Sequence, residues 1–317
     1  MSTDRAPVIA TYSRSGFVEG EHRGHVVIVG PDGGVLRAWG DPELVIFPRS
    51  SNKPAQAIAM VEAGLDLPED LTALSASSHS GEAVHLAGVQ RILADAGLGI
   101  DALQTPPDFP LDRIARDEWS AAGHGAEPIA MNCSGKHAAM LATCVVNGWP
   151  IDSYLDPGHP LQLGMRATLE SLAGEPVAHV GVDGCGAPVM AVTLAGLARM
   201  LSNAVQQGPG EPGGRVTRAM AAYPEIVGGS RRDVTAFMRA VPGLVAKDGA
   251  EGVYVASLPD GTAVAVKSLD GSDRARQVAL AAALATVGVA AEALAGLQTI
   301  PLLGGGHPVG EVASPLA

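Results

Sequence analysis

HVVIVGPDGGVLRAW (25–39) and GVYVASLPDGTAVAVK (252–267) decide the fold. In the first, apolar runs at 25–29 and 35–39 flank Gly30-Pro31-Asp32-Gly33-Gly34. In the second, runs at 252–258 and 262–267 flank Pro259-Asp260-Gly261. Valine-rich runs bounded by Gly, Pro and Asp read as β-hairpins. Residues 8–13 read as one more strand, so the N-terminal end supplies three strands and the C-terminal end two. Between them, 54–62, 84–96, 136–147, 161–172 and 188–203 carry helical spacing, 208–214 reads as a flexible loop, and 272–288 as an Ala-rich helix opened by Ser272 and Asp273. The expected fold is α+β: an antiparallel sheet built from N- and C-terminal strands, with a helical insertion. Residues 1–48 and 225–317 would form the sheet-containing domain, and 49–224 a mainly helical region carrying most of the motifs.

The 317 residues are 47% hydrophobic and 17% charged, a globular mixture, with a net charge of −12. That acidity argues against nucleic acid or anionic membrane as a partner. No apolar run approaches the ~18 residues of a membrane span. The opening MSTDRAPVIATYSRSG has no apolar core of a signal peptide. Three cysteines do not suggest a disulfide scaffold, and the expected compartment is the cytoplasm.

Of 21 basic residues, 17 are Arg and only Lys53, Lys136, Lys247 and Lys267 are Lys. Lysine can lose its proton when desolvated and arginine effectively cannot, so the few lysines are expected where that difference matters. Ser50 and Lys53 are three apart at an expected helix start, on one helical face. There, free N–H groups favour developing negative charge, and a neutral Lys53 would accept the Ser50 proton. The bland alternative is a helix cap followed by a solvated lysine, since Ser-x-x-Lys is common by chance. Ser77-Ser78-His79-Ser80-Gly81-Glu82 and Lys247-Asp248-Gly249 offer a second serine and lysine, or simply a cap and a turn. Asn132-Cys133-Ser134-Gly135-Lys136-His137 and Asp183-Gly184-Cys185-Gly186-Ala187-Pro188 are small-residue turns expected to feed helix starts. Cys133 and Cys185 could be buried hydrophobes, a disulfide, reactive thiols or metal ligands, whereas Cys144 reads as core and His159 as a turn residue.

Taken in order, GFVEGEHRG (16–24), RSSNKPAQA (49–57), ASSHSGE (76–82), NCSGKHAAML (132–141), DPGHPLQ (156–162), DGCGAP (183–188), KDGAEGVY (247–254) and GGHPVGE (305–311) resemble the thermolabile, rhizobial-type type II L-asparaginases. The resemblance implies a serine β-lactamase/glutaminase-like fold. It also implies two Ser-Lys tandems, Ser50 with Lys53 and Ser78 with Lys247, as the catalytic group. Arg49, Asp183, Lys136, His137 and Asn132 become the substrate-binding candidates, with Asp183 matching the acidic residue that holds substrate. Cys133, Lys136 and Cys185 match a trio that binds zinc in some members, and Lys267 matches a lysine of a later strand. Asn52 departs from the small residues common at its position, and the chain is shorter around 203–230.

The expected reaction is hydrolysis of the L-asparagine side-chain amide to L-aspartate and ammonia through a Ser50 acyl-enzyme. No cofactor is required for that chemistry; Zn2+ would be accessory, and a homodimer is the default assembly. One rival is a penicillin-binding or β-lactamase-like hydrolase, which Ser-x-x-Lys permits although its Ser-Asp-Asn and Lys-Thr-Gly companions are absent. Another is a non-catalytic amino-acid or zinc binder. Asparagine and glutamine differ by one methylene, worth only about 1–3 kcal/mol in a pocket.

Overall fold

Val and Ala dominate the strands at both ends of the chain, as the hairpin reading requires. In a computed structural model, which describes residues 6–316, the strands are β1 (Val8–Arg14), β2 (Phe17–Val29), β3 (Val35–Trp39), β4 (Val45–Ile46), β5 (His179–Val182), β6 (Pro188–Thr193), β7 (Val245–Gly249), β8 (Val253–Ser257), β9 (Ala263–Ser268), β10 (Thr299–Gly304) and β11 (His307–Ala313). The main sheet has eight strands in the order β10-β11-β1-β2-β9-β8-β7, with β3 also on β2. All its pairings are antiparallel. β2 joins the two ends: its residues 17–23 pair with β1, and Val26–Val29 pair with both β3 and β9. The fold is α+β, closed by both ends of the chain.

The helices are α1 (Lys53–Glu62), α2 (Glu69–Ser75), α3 (Ala83–Asp95), α4 (Arg113–Ala121), α5 (Ser134–Asn147), α6 (Pro160–Ala173), α7 (Leu194–Val205), α8 (Pro212–Ala222), α9 (Pro224–Gly228), α10 (Asp233–Ala240), α11 (Asp273–Thr286) and α12 (Ala291–Leu294). α7 and α11 both pack on β2, β8 and β9. Every residue of β8 is buried, so both faces of the sheet are covered there. One hydrophobic cluster runs from the sheet through α1, α5, α6 and α7. None of the described helices is long and apolar enough to cross a membrane.

Several features differ from the sequence expectation, among them short elements such as β4, β5, α4 and α10. The stretch 188–203 is not one helix: residues 188–193, PVMAVT, form β6 between β4 and β5, and α7 begins only at Leu194. A short buried apolar run fits either period, and its two valines and terminal threonine favour the strand. The loop 208–214 gives way at Pro212 to α8, because proline suits a first helical turn. The β10–β11 hairpin turns at Gly305 and Gly306 without a Pro-Asp-Gly signal.

The chain enters the site through a tight turn. Arg49 has φ 53°, and Arg49–Asn52 forms a 3-10 turn that runs into α1. Ser50 therefore lies in this turn and Lys53 is the first α-helical residue. Ser51 Oγ donates to the Lys247 carbonyl at 3.2 Å, stitching the turn to β7. Gly249 permits the approach: a Cβ there would lie 2.6 Å from the Pro48 carbonyl oxygen and 2.8 Å from Ser51 Oγ. Gly249→Ala should therefore cost roughly 1–3 kcal/mol, typical of overpacking, and displace Ser50. Thermal unfolding and turnover should both fall; wild-type values for both would show that the turn yields without cost.

Candidate active site

Ser50, Ser78 and Asn132 line one cavity of about 190 Å3, with Arg232, Asp248 and Gly249 on its other walls. The elements meeting there are the 3-10 turn, the segment after α2, the segment before α5, and β7. Ser50 Oγ makes no hydrogen bond among the described residues and is half-buried, so it is open to a ligand. Lys53 is 2% exposed. Its Nζ donates to the Ser77 carbonyl at 2.5 Å, Ser78 Oγ at 3.0 Å and Cys133 Sγ at 3.1 Å. The amine thus contacts Ser78 rather than Ser50, its expected partner. Lys53 opens α1, and the segment after α2 brings the Ser77 carbonyl and Ser78 Oγ to its amine.

Lys247 is fully buried, and its partner is likewise not Ser78. Its Nζ donates to the Asp248 carbonyl and to Asp248 Oδ1, both at 2.7 Å. Asp248 Oδ2 accepts from Arg232 and, at 3.5 Å, from Arg276. Arg232 Nη1 in turn donates to the Ser78 carbonyl at 2.5 Å. The second serine and lysine are therefore linked through Arg232 and Asp248. Burial opposes ionisation of Asp248, but Arg232, Lys247 and Arg276 hold its carboxyl far below the usual range.

The cysteine segments meet beside Lys53. Lys136 Nζ lies 3.4 Å from Cys185 Sγ, and Cys133 Sγ donates to Asn132 Oδ1 at 3.1 Å. A hydrogen bond from the Cys185 thiol, with the charges of Lys53 and Lys136, pulls Cys133 well below the ordinary thiol value despite its burial. The same contact and burial push Cys185 up. Burial opposes charge on Lys136, yet Cys185, Cys133 and Asp183 raise its pKa. Cys133 precedes α5 as expected, whereas Cys185 sits in the β5–β6 turn rather than at a helix start. No group of three His, Cys, Asp or Glu among the described residues could hold a metal. A metal here would need Lys136 as its third protein ligand. The two sulfurs and one amine suit zinc, provided the metal displaces the lysine proton.

Asp183 is paired with Arg49 Nε at 2.8 Å and accepts from Gly184 N at 2.8 Å. Burial pushes its pKa up, but these partners hold it below the usual value. Arg49 faces a neighbouring cleft of about 440 Å3, which Lys267 and Glu251 also line. His137 is fully buried, with Nδ1 2.8 Å from Tyr154 Oη, and lies behind the cavity wall. His159 caps α6 and Cys144 is core. Arg232 and Arg276 escaped the sequence reading, because neither belongs to a spacing pattern that signals chemistry. Asp248 stood in view beside Lys247, but as part of a turn.

Burial and repulsion from Lys53 and Arg232, only partly offset by Asp248, push Lys247 down to about 8. An unfolded lysine titrates near ~10.4. Between those values the unfolded chain binds the extra proton, so stability should rise with pH, by up to about 3 kcal/mol. Below that window both states are charged and the buried ammonium carries its full cost. Lys247→Met should flatten the rise, as read by denaturant unfolding at several pH values; equal slopes in both proteins would contradict it.

The L-asparaginase II family model matches residues 10–314. No curated protein matches the chain. Among solved structures, it is similar to Mglu in its native form, at 16% identity and TM-score 0.46, over 85% of this chain and 67% of that one. Mglu in its tris and glutamate form aligns at 15% identity and TM-score 0.44, over 91% of this chain and 66% of that one, just under two thirds of its length. A beta-lactamase from Mycobacterium bovis aligns at 16% identity and TM-score 0.39, over 84% of this chain and 95% of that one. The match across almost the whole chain places this protein in the L-asparaginase II family of amidohydrolases.

Proposed function

We propose that the chain hydrolyses the side-chain amide of L-asparagine to L-aspartate and ammonia. Its membership of the L-asparaginase II family carries this reading. The cavity holding Ser50 and Ser78, with Lys53 buried behind Ser78, supplies the chemistry. Ser50 Oγ attacks the amide carbon. Its proton passes by way of Ser78 Oγ to a neutral Lys53, and from there to the leaving nitrogen, which departs as ammonia. Water then cleaves the Ser50 ester, releasing aspartate and restoring the serine. Lys247 and Arg232, joined through Asp248, hold the backbone of Ser78 in place. Asp183 receives the α-ammonium group, and Arg49, Lys136 and Asn132 supply donors toward the α-carboxylate and the amide. The working assembly in this reading is a symmetric homodimer in the cytoplasm.

The 3.0 Å contact between Lys53 and Ser78 favours a second reading, in which Ser78 is the nucleophile and Ser50 the relay. Ammonia release from L-asparagine and L-glutamine separates the outcomes. Ser50→Ala and Lys53→Ala should each lower kcat by roughly 10³-fold or more, with little further loss in the double variant. Lys53→Arg should be as damaging as Lys53→Ala, since arginine cannot accept the proton. Near-normal turnover in Ser50→Ala, with loss in Ser78→Ala, would exchange the two serines. No ammonia from either amide would remove the activity altogether.

Zinc, held by Cys133, Lys136 and Cys185, would supply charge that organises the substrate-facing segments and not the nucleophile. Chelation should therefore raise KM more than it lowers kcat, with metal content checked on the same sample. Complete loss of kcat, restored by zinc, would replace the accessory role with a metal-activated water.

A further inference from the structure

The cavity of Ser50 and Ser78 is small, about 190 Å3, against roughly 300–1,000 Å3 for pockets that bury drug-sized ligands. Beside it runs an open groove of about 470 Å3. Leu111, Arg232, Asp273 and Arg276 line both, so these four side chains form the partition between them. Among the described residues, Leu111 is the one large apolar side chain on the cavity wall. Every other wall member is a serine, an asparagine, a charged residue, Gly249 or Ala250.

Three members of the partition are held by polar contacts. Arg232 binds Asp248 and the Ser78 carbonyl, Arg276 binds the Gly249 and Val253 carbonyls, and Asp273 Oδ1 lies 3.1 Å from Arg276. Moving any of them breaks charge-assisted hydrogen bonds. Leu111 is held differently, through its neighbours in the chain. Asp112 N donates to the Ser80 carbonyl at 3.0 Å, and Arg231 grips the Asp112 carboxylate at 2.5 and 3.0 Å. On the other side, the Pro110 carbonyl accepts from Arg116 Nε at 3.0 Å. Pro110 also rests against Gly81, where an added Cβ would lie 2.7 Å from Pro110 Cβ. Ser80 and Gly81 continue the segment that carries Ser78. Leu111 is thus fixed relative to Ser78 from both sides, while it is itself 44% exposed and its side chain has no polar tether.

We propose that Leu111 sets the length of amide that the cavity accepts, admitting asparagine and hindering glutamine. This role rests on the asparagine hydrolysis proposed for the same cavity, with the amide carbon at Ser50. Glutamine is longer by one methylene, so it must push back the partition or sit away from Ser50. The charged members resist displacement, which leaves the size of Leu111 as the limit. Trimming that leucine to alanine opens the cavity toward the groove and makes room for the extra methylene.

The test compares kcat/KM for ammonia release from L-asparagine and from L-glutamine in wild type, Leu111→Ala and Leu111→Met. Wild type should prefer asparagine. Leu111→Ala should shift the ratio toward glutamine at least about tenfold, the lower end of what one methylene is worth in a pocket. Leu111→Met, close in volume, should keep the wild-type preference. A ratio of two substrates does not move when a variant is merely less stable. If Leu111→Ala fails to fold, Leu111→Val repeats the measurement and should shift the ratio the same way. Asparagine turnover without preference over glutamine in wild type, or an unchanged ratio in the trimmed variant, would overturn the proposal and leave the hydrolysis standing. Equal loss on both amides in a folded Leu111→Ala would make Leu111 a positioning residue and overturn its selective role. No ammonia from either amide in wild type would instead remove the hydrolysis itself, and the selection with it.

Discussion

Asp248 holds three cations at the end of β7: Lys247 on one carboxylate oxygen, Arg232 and Arg276 on the other. A buried carboxylate is expensive unless paired, and so are three buried or half-buried cations. Together they satisfy one another, and their geometry spreads outward. Arg232 fixes the Ser78 carbonyl, Arg276 donates to the Gly249 and Val253 carbonyls at the β7–β8 turn, and the Lys247 carbonyl accepts from Ser51. The backbone of Ser78 is thus positioned from one carboxylate that the serine itself does not touch.

A different pairing governs the other wall. Lys53 and Lys136 face sulfur, at Cys133 and Cys185. Thiols change charge more readily than a buried aspartate, and they accept soft metals that a carboxylate pairs with less well. Lys53 belongs to both environments, touching Ser78 and Cys133 at once. Any change of charge at the sulfur pair is therefore felt at the amine next to the serine. This makes a metal at the cysteines compatible with an influence on substrate affinity, without assigning it a step in the reaction.

Much of this was legible from local signals. The two Pro-Asp-Gly hairpins announced the sheet, and the helices after Lys53 and before Asn147 followed their apolar spacing within a few residues. What escaped was of two kinds. β6 was hidden because a six-residue buried apolar run carries no period of its own. The contacts of Lys53 and Arg232 were hidden because they are made across the chain: Ser77 lies 24 residues from Lys53, and Arg232 lies 154 residues from Ser78. Helical spacing suggested a Ser50–Lys53 contact, but the amine is taken up by the Ser77 carbonyl, Ser78 Oγ and Cys133 Sγ instead.

The imbalance between lysine and arginine acquires a physical meaning at this point. Lys53, Lys136 and Lys247 are buried around the cavity, and the fourth, Lys267, borders the adjoining cleft. The arginines carry the surface ion pairs, such as Arg91 with Asp70 and Arg166 with Glu170, and the fork-like grips on Asp112 and Asp248. Guanidinium keeps its charge at any working pH and binds carboxylates in a fixed plane, which suits scaffolding and anion capture. An ammonium can surrender its proton when buried beside other cations, the circumstance of Lys247. The chain therefore separates two uses of positive charge. Permanent charge sits in the arginine pairs, and the lysine whose proton burial loosens is Lys247, next to Asp248 on the cavity wall. Arg232, on the cavity wall and bound to the same Asp248 that Lys247 grips, is where the two meet.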